Sequence, residues 1–367
     1  MGRETYTGDV AFEVRGHLGI ITLNRPKALN SLTQLMVESI KIQLQDWAYD
    51  DEVAQVLIRG AGDRGLSAGG DVAGIYWEMV EYQDLDGGPL LPEGKPAFGA
   101  EFPAEQFFAV EYAMNLTIAE YPKPFVALMD GVVLGGGIGV SGHGSHRVVT
   151  ERSRIGMPET TIGLSPDVGG TYLLARAPGQ LGVHAGITGV HLSAADGIHL
   201  GLADTYVPSE SLEELTQALT TQPVEEALSA FSQECERSSL ADADWIDQAY
   251  SHRDLADVLA ALDEMAEGVP EAGEAAKQLR SKSPTMVKVA FEAIHRARHL
   301  NIAEALTQEF AVTMYALRSH DFREGIRAQL IDKDRSPQWN PATLEDVDDE
   351  LVAHYFSEVP GRVLTLR

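Results

Sequence analysis

Two carboxylates eight residues apart, Glu159 and Asp167, stand in the segment Met157-Pro158-Glu159-Thr160-Thr161-Ile162-Gly163-Leu164-Ser165-Pro166-Asp167-Val168-Gly169-Gly170. Exposed acids are the ordinary expectation in a chain this acidic. Apolar residues flank both, however, and an apolar surrounding raises a carboxyl pKa toward values useful in general acid–base catalysis. Upstream lie two glycine clusters, Ser67-Ala68-Gly69-Gly70-Asp71 and Gly135-Gly136-Gly137-Ile138-Gly139-Val140-Ser141-Gly142, each placed after a strand-like run. Three readings of the second cluster stay open. Gly137-x-Gly139-x-x-Gly142 has dinucleotide-fingerprint spacing, but Glu151 comes too early and Glu159 follows loop chemistry, so the ribose-binding acid is missing. Glycines also permit close packing of a helix on a sheet. Finally, glycines expose backbone N–H groups, and two clusters after two strands can aim two donors at one carbonyl oxygen, as acyl chemistry through an enolate or tetrahedral intermediate requires.

Other candidate groups point elsewhere. Gly139-Val140-Ser141-Gly142-His143 misses the nucleophile elbow, because His143 stands where the last glycine must be. His143 and His146 read as a helix cap and its surface. His295 and His299 are four apart on an expected helix, but Arg296 and Arg298 between them make a basic solvated face, and no zincin glutamate intervenes. The single cysteine, Cys235, allows neither an internal disulfide nor a multi-cysteine metal site. No metal is expected.

The elements that must position these groups follow from the apolar pattern. Gly19-Ile20-Ile21-Thr22-Leu23, Val53 to Ile58, Phe125 to Met129 and Val148-Val149-Thr150 read as strands, separated by helical segments. Asn30-Ser31-Leu32-Thr33 opens a helix with Leu35, Met36, Ile40, Leu44 and Trp47 at helical spacing. Tyr82 to Pro103, rich in Gly, Pro and acids, reads as a long mobile loop of the kind that serves as a lid. Beyond Pro208 glycine thins out and Ala, Leu and Glu dominate. Ser283-Pro284 then supplies an N-cap and a first-turn proline. The expected fold class is therefore α/β, with residues 1–207 as an α/β part and 208–367 as a helical part.

The 367 residues carry 28 Lys plus Arg against 55 Asp plus Glu, a net charge of −27. That field repels a phosphate backbone, so nucleic-acid partners are not expected, and any anionic ligand needs local donors. No 18-residue apolar run is present, and Met1 to Val10 lacks an export pattern. A cytoplasmic protein without a membrane segment is the expectation.

Taken together, the clusters resemble the crotonase (enoyl-CoA hydratase/isomerase) superfamily, and within it the 3-hydroxyisobutyryl-CoA hydrolases. The resemblance starts at Gly19-Ile20-Ile21-Thr22-Leu23-Asn24-Arg25-Pro26-Lys27-Ala28-Leu29-Asn30 and includes Lys123 to Gly131, the triple glycine and Met157-Pro158-Glu159-Thr160. It continues through Ser283-Pro284-Thr285, Phe322-Arg323-Glu324-Gly325-Ile326-Arg327-Ala328, Asp332-Lys333-Asp334 and Pro337-Gln338-Trp339. It implies a ββα spiral core followed by an α-helical C-terminal region. It also implies a thioester carbonyl held by the N–H groups of Gly70 and Gly136, each such donor typically worth about 3–4 kcal/mol.

Of the two glutamates by which the hydratases add water to a double bond, the first falls at Gly139 here and only the second, Glu159, is matched. The resemblance therefore favours thioester hydrolysis by a Glu159–Asp167 pair, with Glu111 facing the hydroxyl end of the acyl group. Glu159 attacks the carbonyl to give an anhydride or activates water; Asp167 positions it or shuttles a proton to the thiolate. CoA is part of the substrate, no separate cofactor is implied, and the reaction would belong to valine catabolism. Against the −27 charge, Arg25, Lys27 and Lys288 are the local cations offered to the CoA phosphates, with a plain surface role as the alternative. The superfamily implies a homo-oligomer, trimer or hexamer. A hydratase or isomerase, or a non-catalytic acyl-CoA binder, is the competing expectation.

Overall fold

The computed structural model describes residues 4–86 and 102–367. Among them, ten strands form two sheets. The larger has the order β1 (Glu4–Thr7), β2 (Val10–Arg15), β3 (Leu18–Leu23), β4 (Gln55–Gly60), β6 (Phe125–Met129), β8 (His146–Val149) and β10 (Thr205–Tyr206). The first two pairings are antiparallel and the remainder parallel. The four strands read from the apolar runs are its centre, β3, β4, β6 and β8. Parallel strands buried on both faces read as nearly unbroken apolar runs, and here both faces are filled. Phe125, Ala127 and Met129 point into the main core, whereas Val126 and Leu128 point into a second one capped by helices Leu212–Leu219 and Val224–Phe231.

The second sheet escapes a periodicity reading because its parallel strands, β5 (Gly65–Ser67), β7 (Val132–Leu134) and β9 (Arg154–Gly156), have three residues each. The chain therefore climbs in rounds: β4 then β5, β6 then β7, β8 then β9, one strand in each sheet per round, followed by a helix or helical turn. This is the ββα spiral expected from the resemblance.

Helix α1 (Gln34–Ala48) is capped by Thr33, whose side chain accepts from the Met36 amide, and buries Met36, Val37, Ile40, Leu44 and Trp47. Leu35, read as part of that stripe, is instead 62% exposed; it lies one residue off the inward face. Helix α2 (Val72–Asp86) takes in residues 82–86, which the sequence assigned to the loop, because helix-breaking residues begin only at Gly87-Gly88. The rest of the expected lid, 87–101, lies outside the described residues.

Helix α3 (Pro103–Ala119) follows, and its first turn is anchored to the C-terminal part of the chain: buried Glu105 pairs with Arg318 and, at 2.8 Å, with Arg362. After β10 every named element is helical. The main core nevertheless runs across residue 208, from Val10 to Val359, so the change in composition there marks a change of element type within a continuous packing. Helices Pro284–Ala297 and Ile302–Ala316 lie against α3 and the short helices α5 (Gly170–Leu174) and α6 (Leu181–Thr188).

Candidate active site

Adjacent parallel strands end on the same edge of a sheet, and β5, β7 and β9 are neighbours in that order. Their C-terminal ends therefore deliver Gly69-Gly70, Gly135-Gly136 and Pro158-Glu159 to one place. At the first strand end, the Leu32 amide donates to the Gly69 carbonyl and the Asp71 amide to the Leu32 carbonyl, which skips the Gly70 N–H. At the second, Gly136 opens helix α4 (Gly136–Gly139), where the first amides of a helix have no partner within it. Neither amide donates to a backbone carbonyl among the described residues. They are close neighbours, since a β-carbon placed on Gly136 would sit 3.2 Å from the Gly70 nitrogen. Both glycines line a cavity of about 310 Å³, together with Glu111, Glu159 and Asp167 and the apolar side chains of Phe107, Phe108 and Leu134.

Glu159 starts a 3-10 turn, Glu159–Ile162, closed by Gly163 at φ +75°. That turn is pressed onto helix His320–Ile326. A β-carbon on Gly163 would lie 2.2 Å from the Asp321 carbonyl oxygen, and one on Gly325 would lie 2.3 Å from the Ile162 carbonyl carbon. The glycine in the Phe322-to-Ala328 motif thus seats the turn that carries Glu159. Glu159 Oε1 rests over Gly135, where a β-carbon would approach to 2.6 Å and where φ is +51°, so glycine is required twice over. Glu111 Oε1 comes to 2.7 Å of the corresponding position on Gly136. Both Glu111 Oε1 and Glu159 Oε2 are buried and have no hydrogen-bond partner among the described residues.

Burial first, and then the charge of Asp167, raise the carboxyl pKa values of Glu111 and Glu159 well above the usual range. Burial lifts Asp167 to about 7, against a hydrogen bond from Tyr112 that pulls it down. Three buried carboxyls whose pKa values are all raised do not all stay ionised at neutral pH, so the cluster retains protons.

Several residues that sequence reasoning passed over hold this arrangement. Tyr112 Oη donates to Asp167 Oδ2 at 2.7 Å and lies 2.8 Å from Thr313 Oγ1. Glu309, on helix Ile302–Ala316, accepts from the Gly169 amide at 2.6 Å, the Thr171 amide at 2.9 Å and the Thr171 hydroxyl. Burial pushes its pKa up to about 8, against those hydrogen bonds, which favour the carboxylate. Val168 has φ 54°, a strained conformation for a β-branched residue. His143 Nε2 contacts its carbonyl oxygen at 2.7 Å. Burial lowers the His143 pKa to about 4, so the ring is neutral and donates from Nε2. His143 is thus a half-buried prop under the Asp167 loop, where the sequence suggested a cap and surface residue. Nothing in spacing or composition marks these residues, although Tyr112 adjoins Glu111.

The structure does not bring Arg25, Lys27 or Lys288 into the cavity. The Arg25 guanidinium is held by Asp71 at 3.0 Å, Asp9 at 3.3 Å and Ser31, so its charge is already paired within the protein. Lys27 is exposed, and Lys288 Nζ donates to the Val347 carbonyl. Close packing explains the other glycines. A β-carbon on Gly137 would meet the Ser67 carbonyl at 2.5 Å, and one on Gly139 would meet Asn115 and Val168, both at 2.8 Å. Among the described residues, no group of three His, Cys, Asp or Glu is placed to hold a metal, and no helix is long and apolar enough to cross a membrane.

A two-sheet spiral whose strand ends gather paired glycine amides over buried carboxyls defines the crotonase class. Comparison with known proteins agrees: the enoyl-CoA hydratase/isomerase family model matches residues 18–356, and the chain belongs to that family. It is 37% identical to the mitochondrial 3-hydroxyisobutyryl-CoA hydrolase of Rattus norvegicus, over 99% of this chain and 92% of that protein. Among solved structures it is similar to a carnitinyl-CoA dehydratase from Mycobacterium thermoresistibile (44% identity, TM-score 0.88, 98% of this chain and 99% of that one). It is also similar to an enoyl-CoA hydratase from Rhodobacter sphaeroides 2.4.1 (39% identity, TM-score 0.86, 98% and 100%).

Proposed function

We propose that this protein hydrolyses an acyl-CoA thioester, with 3-hydroxyisobutyryl-CoA or a close 3-hydroxyacyl-CoA as substrate. The observation that carries the reading is the pair of unused amides, Gly70 and Gly136, facing the same cavity as Glu159. A thioester carbonyl oxygen placed between the two N–H groups gains two donors where negative charge develops. Glu159 then faces the carbonyl carbon and, as the carboxylate, either adds to it or takes a proton from water that does. Burial favours the protonated form of Glu159, so the reaction draws on its minor carboxylate form, and Asp167, at about 7, suits the role of returning a proton to the departing thiolate. Glu111 Oε1, buried and without a partner among the described residues, meets the 3-hydroxyl; a substrate lacking that hydroxyl leaves it unsatisfied, at a cost of about 1–3 kcal/mol.

The rat hydrolase supports hydrolysis by its name, and the dehydratase and hydratase titles support the rival chemistry. Gly139 favours hydrolysis on physical grounds, because the resemblance puts the first glutamate of the hydratase pair there and Asn115 and Val168 fill the space. A non-catalytic binder would gain nothing from three buried carboxyls that cost free energy to desolvate.

Free-thiol release is measured with 3-hydroxyisobutyryl-CoA and with a 2-enoyl-CoA. Release from the first alone is expected; loss of enoyl absorbance without thiol sinks the reading. Glu159→Gln should still bind acyl-CoA while turnover falls by roughly a thousandfold or more.

A further inference from the structure

Helix Ile302–Ala316 comes from the helical half of the chain, yet two of its side chains reach both flanks of Asp167. Glu309 and Thr313 are four residues apart, hence on one face of the helix, and both are almost wholly buried. Glu309 Oε2 takes the Gly169 amide at 2.6 Å, two residues beyond Asp167, while Oε1 takes the amide and hydroxyl of Thr171. Thr313 reaches Asp167 through Tyr112. A tyrosine hydroxyl has one proton, and that of Tyr112 goes to Asp167 Oδ2; the 2.8 Å contact with Thr313 is therefore a hydrogen bond donated by the threonine. The relay has a direction: Thr313 to Tyr112 to Asp167 Oδ2.

We propose that Glu309 and Thr313 are positioning residues for the reaction, with the helical region setting both the place and the proton affinity of the Asp167 carboxyl. Thr313 polarises the Tyr112 hydroxyl, which stabilises Asp167 as the carboxylate and leaves Oδ1 for the cavity. Glu309 fixes the backbone that follows and so limits how far the carboxyl can swing. The groups facing Asp167 are Glu159 from its 3-10 turn, Glu111 and Tyr112 from α3, Glu309 from Ile302–Ala316, and neutral His143 beneath the loop. The inference rests on the proposed role of Asp167 in proton transfer.

The test is the pH profile of kcat and KM for thiol release from 3-hydroxyisobutyryl-CoA. Tyr112→Phe should lower kcat roughly 10- to 100-fold with KM nearly constant. It should also move the Asp167 limb up by about one pH unit, because a donor favouring the ionised form is lost. Thr313→Val should move the same limb in the same direction by less, Thr313→Ser should return it, and the double variant should match Tyr112→Phe alone. Glu309→Gln should lower kcat with KM held. A Tyr112→Phe profile superimposed on that of the unmodified protein, a double variant that sums its singles, or a Glu309→Gln effect confined to KM overturns the inference. Asp167→Asn separates the two layers. If it retains turnover, the proposed role of Asp167 in proton transfer fails; if it is inactive while the Tyr112→Phe limb stays put, only the positioning claim fails.

Discussion

The two walls of the cavity are built in opposite ways. One is made of backbone: the Gly70 and Gly136 amides at the ends of β5 and β7, rigid because the strands hold them and open because glycine leaves nothing in front of them. The other is made of side chains, Glu111, Glu159 and Asp167, whose charges are uncomfortable where they sit and whose geometry depends on Tyr112, His143, Glu309 and Thr313. The contrast follows from the part proposed for each wall. Fixed dipoles meet a charge that develops on the substrate and need no reorganisation. Groups that exchange protons must be able to change charge, so they require burial and neighbours that tune their pKa.

Breaking the backbone wall should cost the most. In Gly136→Ala the new methyl lies between the Gly70 nitrogen and Glu111 Oε1, at 3.2 and 2.7 Å. Because the 2.7 Å contact is with the movable end of Glu111, the chain should fold while kcat drops by about 100- to 1000-fold in the thiol-release assay. Intact kcat would show that these amides do not face the carbonyl.

The side-chain wall should reveal itself in stability as well. The folded-state pKa of Asp167, about 7, lies above the ordinary 3.8. Its contribution is therefore fully present below the ordinary value and lost as pH rises through about 7. Melting curves from pH 4 to 8 should show the unmodified protein losing about 3 °C or more relative to Asp167→Asn as pH rises; a constant gap between the two would break the account of that wall. Leu35→Gln, at an exposed site on α1 away from both walls, sets the baseline, with a change in unfolding free energy within about 0.5 kcal/mol by denaturant titration.

Much of this molecule was legible along the chain. The apolar runs located β3, β4, β6 and β8, Asn30 to Thr33 marked the start of α1, Ser283 caps its helix as expected, and the glycine clusters with Glu159 and Asp167 carried the family resemblance. The small sheet was not legible: three residues per strand are too few to show a two-residue period. Arg25 misled for a related reason. A lone cation in an acidic chain looks available until the fold places Asp9 and Asp71 beside it.

The sequence by itself determined the central strands of the larger sheet, the glycine clusters and the acids available to them, because local periodicity, turn chemistry and motif spacing are properties of neighbours along the chain. Only the tertiary structure decided that β5, β7 and β9 lie side by side, and that Tyr112, Glu309 and Thr313 close around Asp167. Those contacts join residues 55 to 201 positions apart. At such separations, proximity is set by how whole layers pack and not by any pattern within one element, and a carboxyl's pKa follows its neighbours in space.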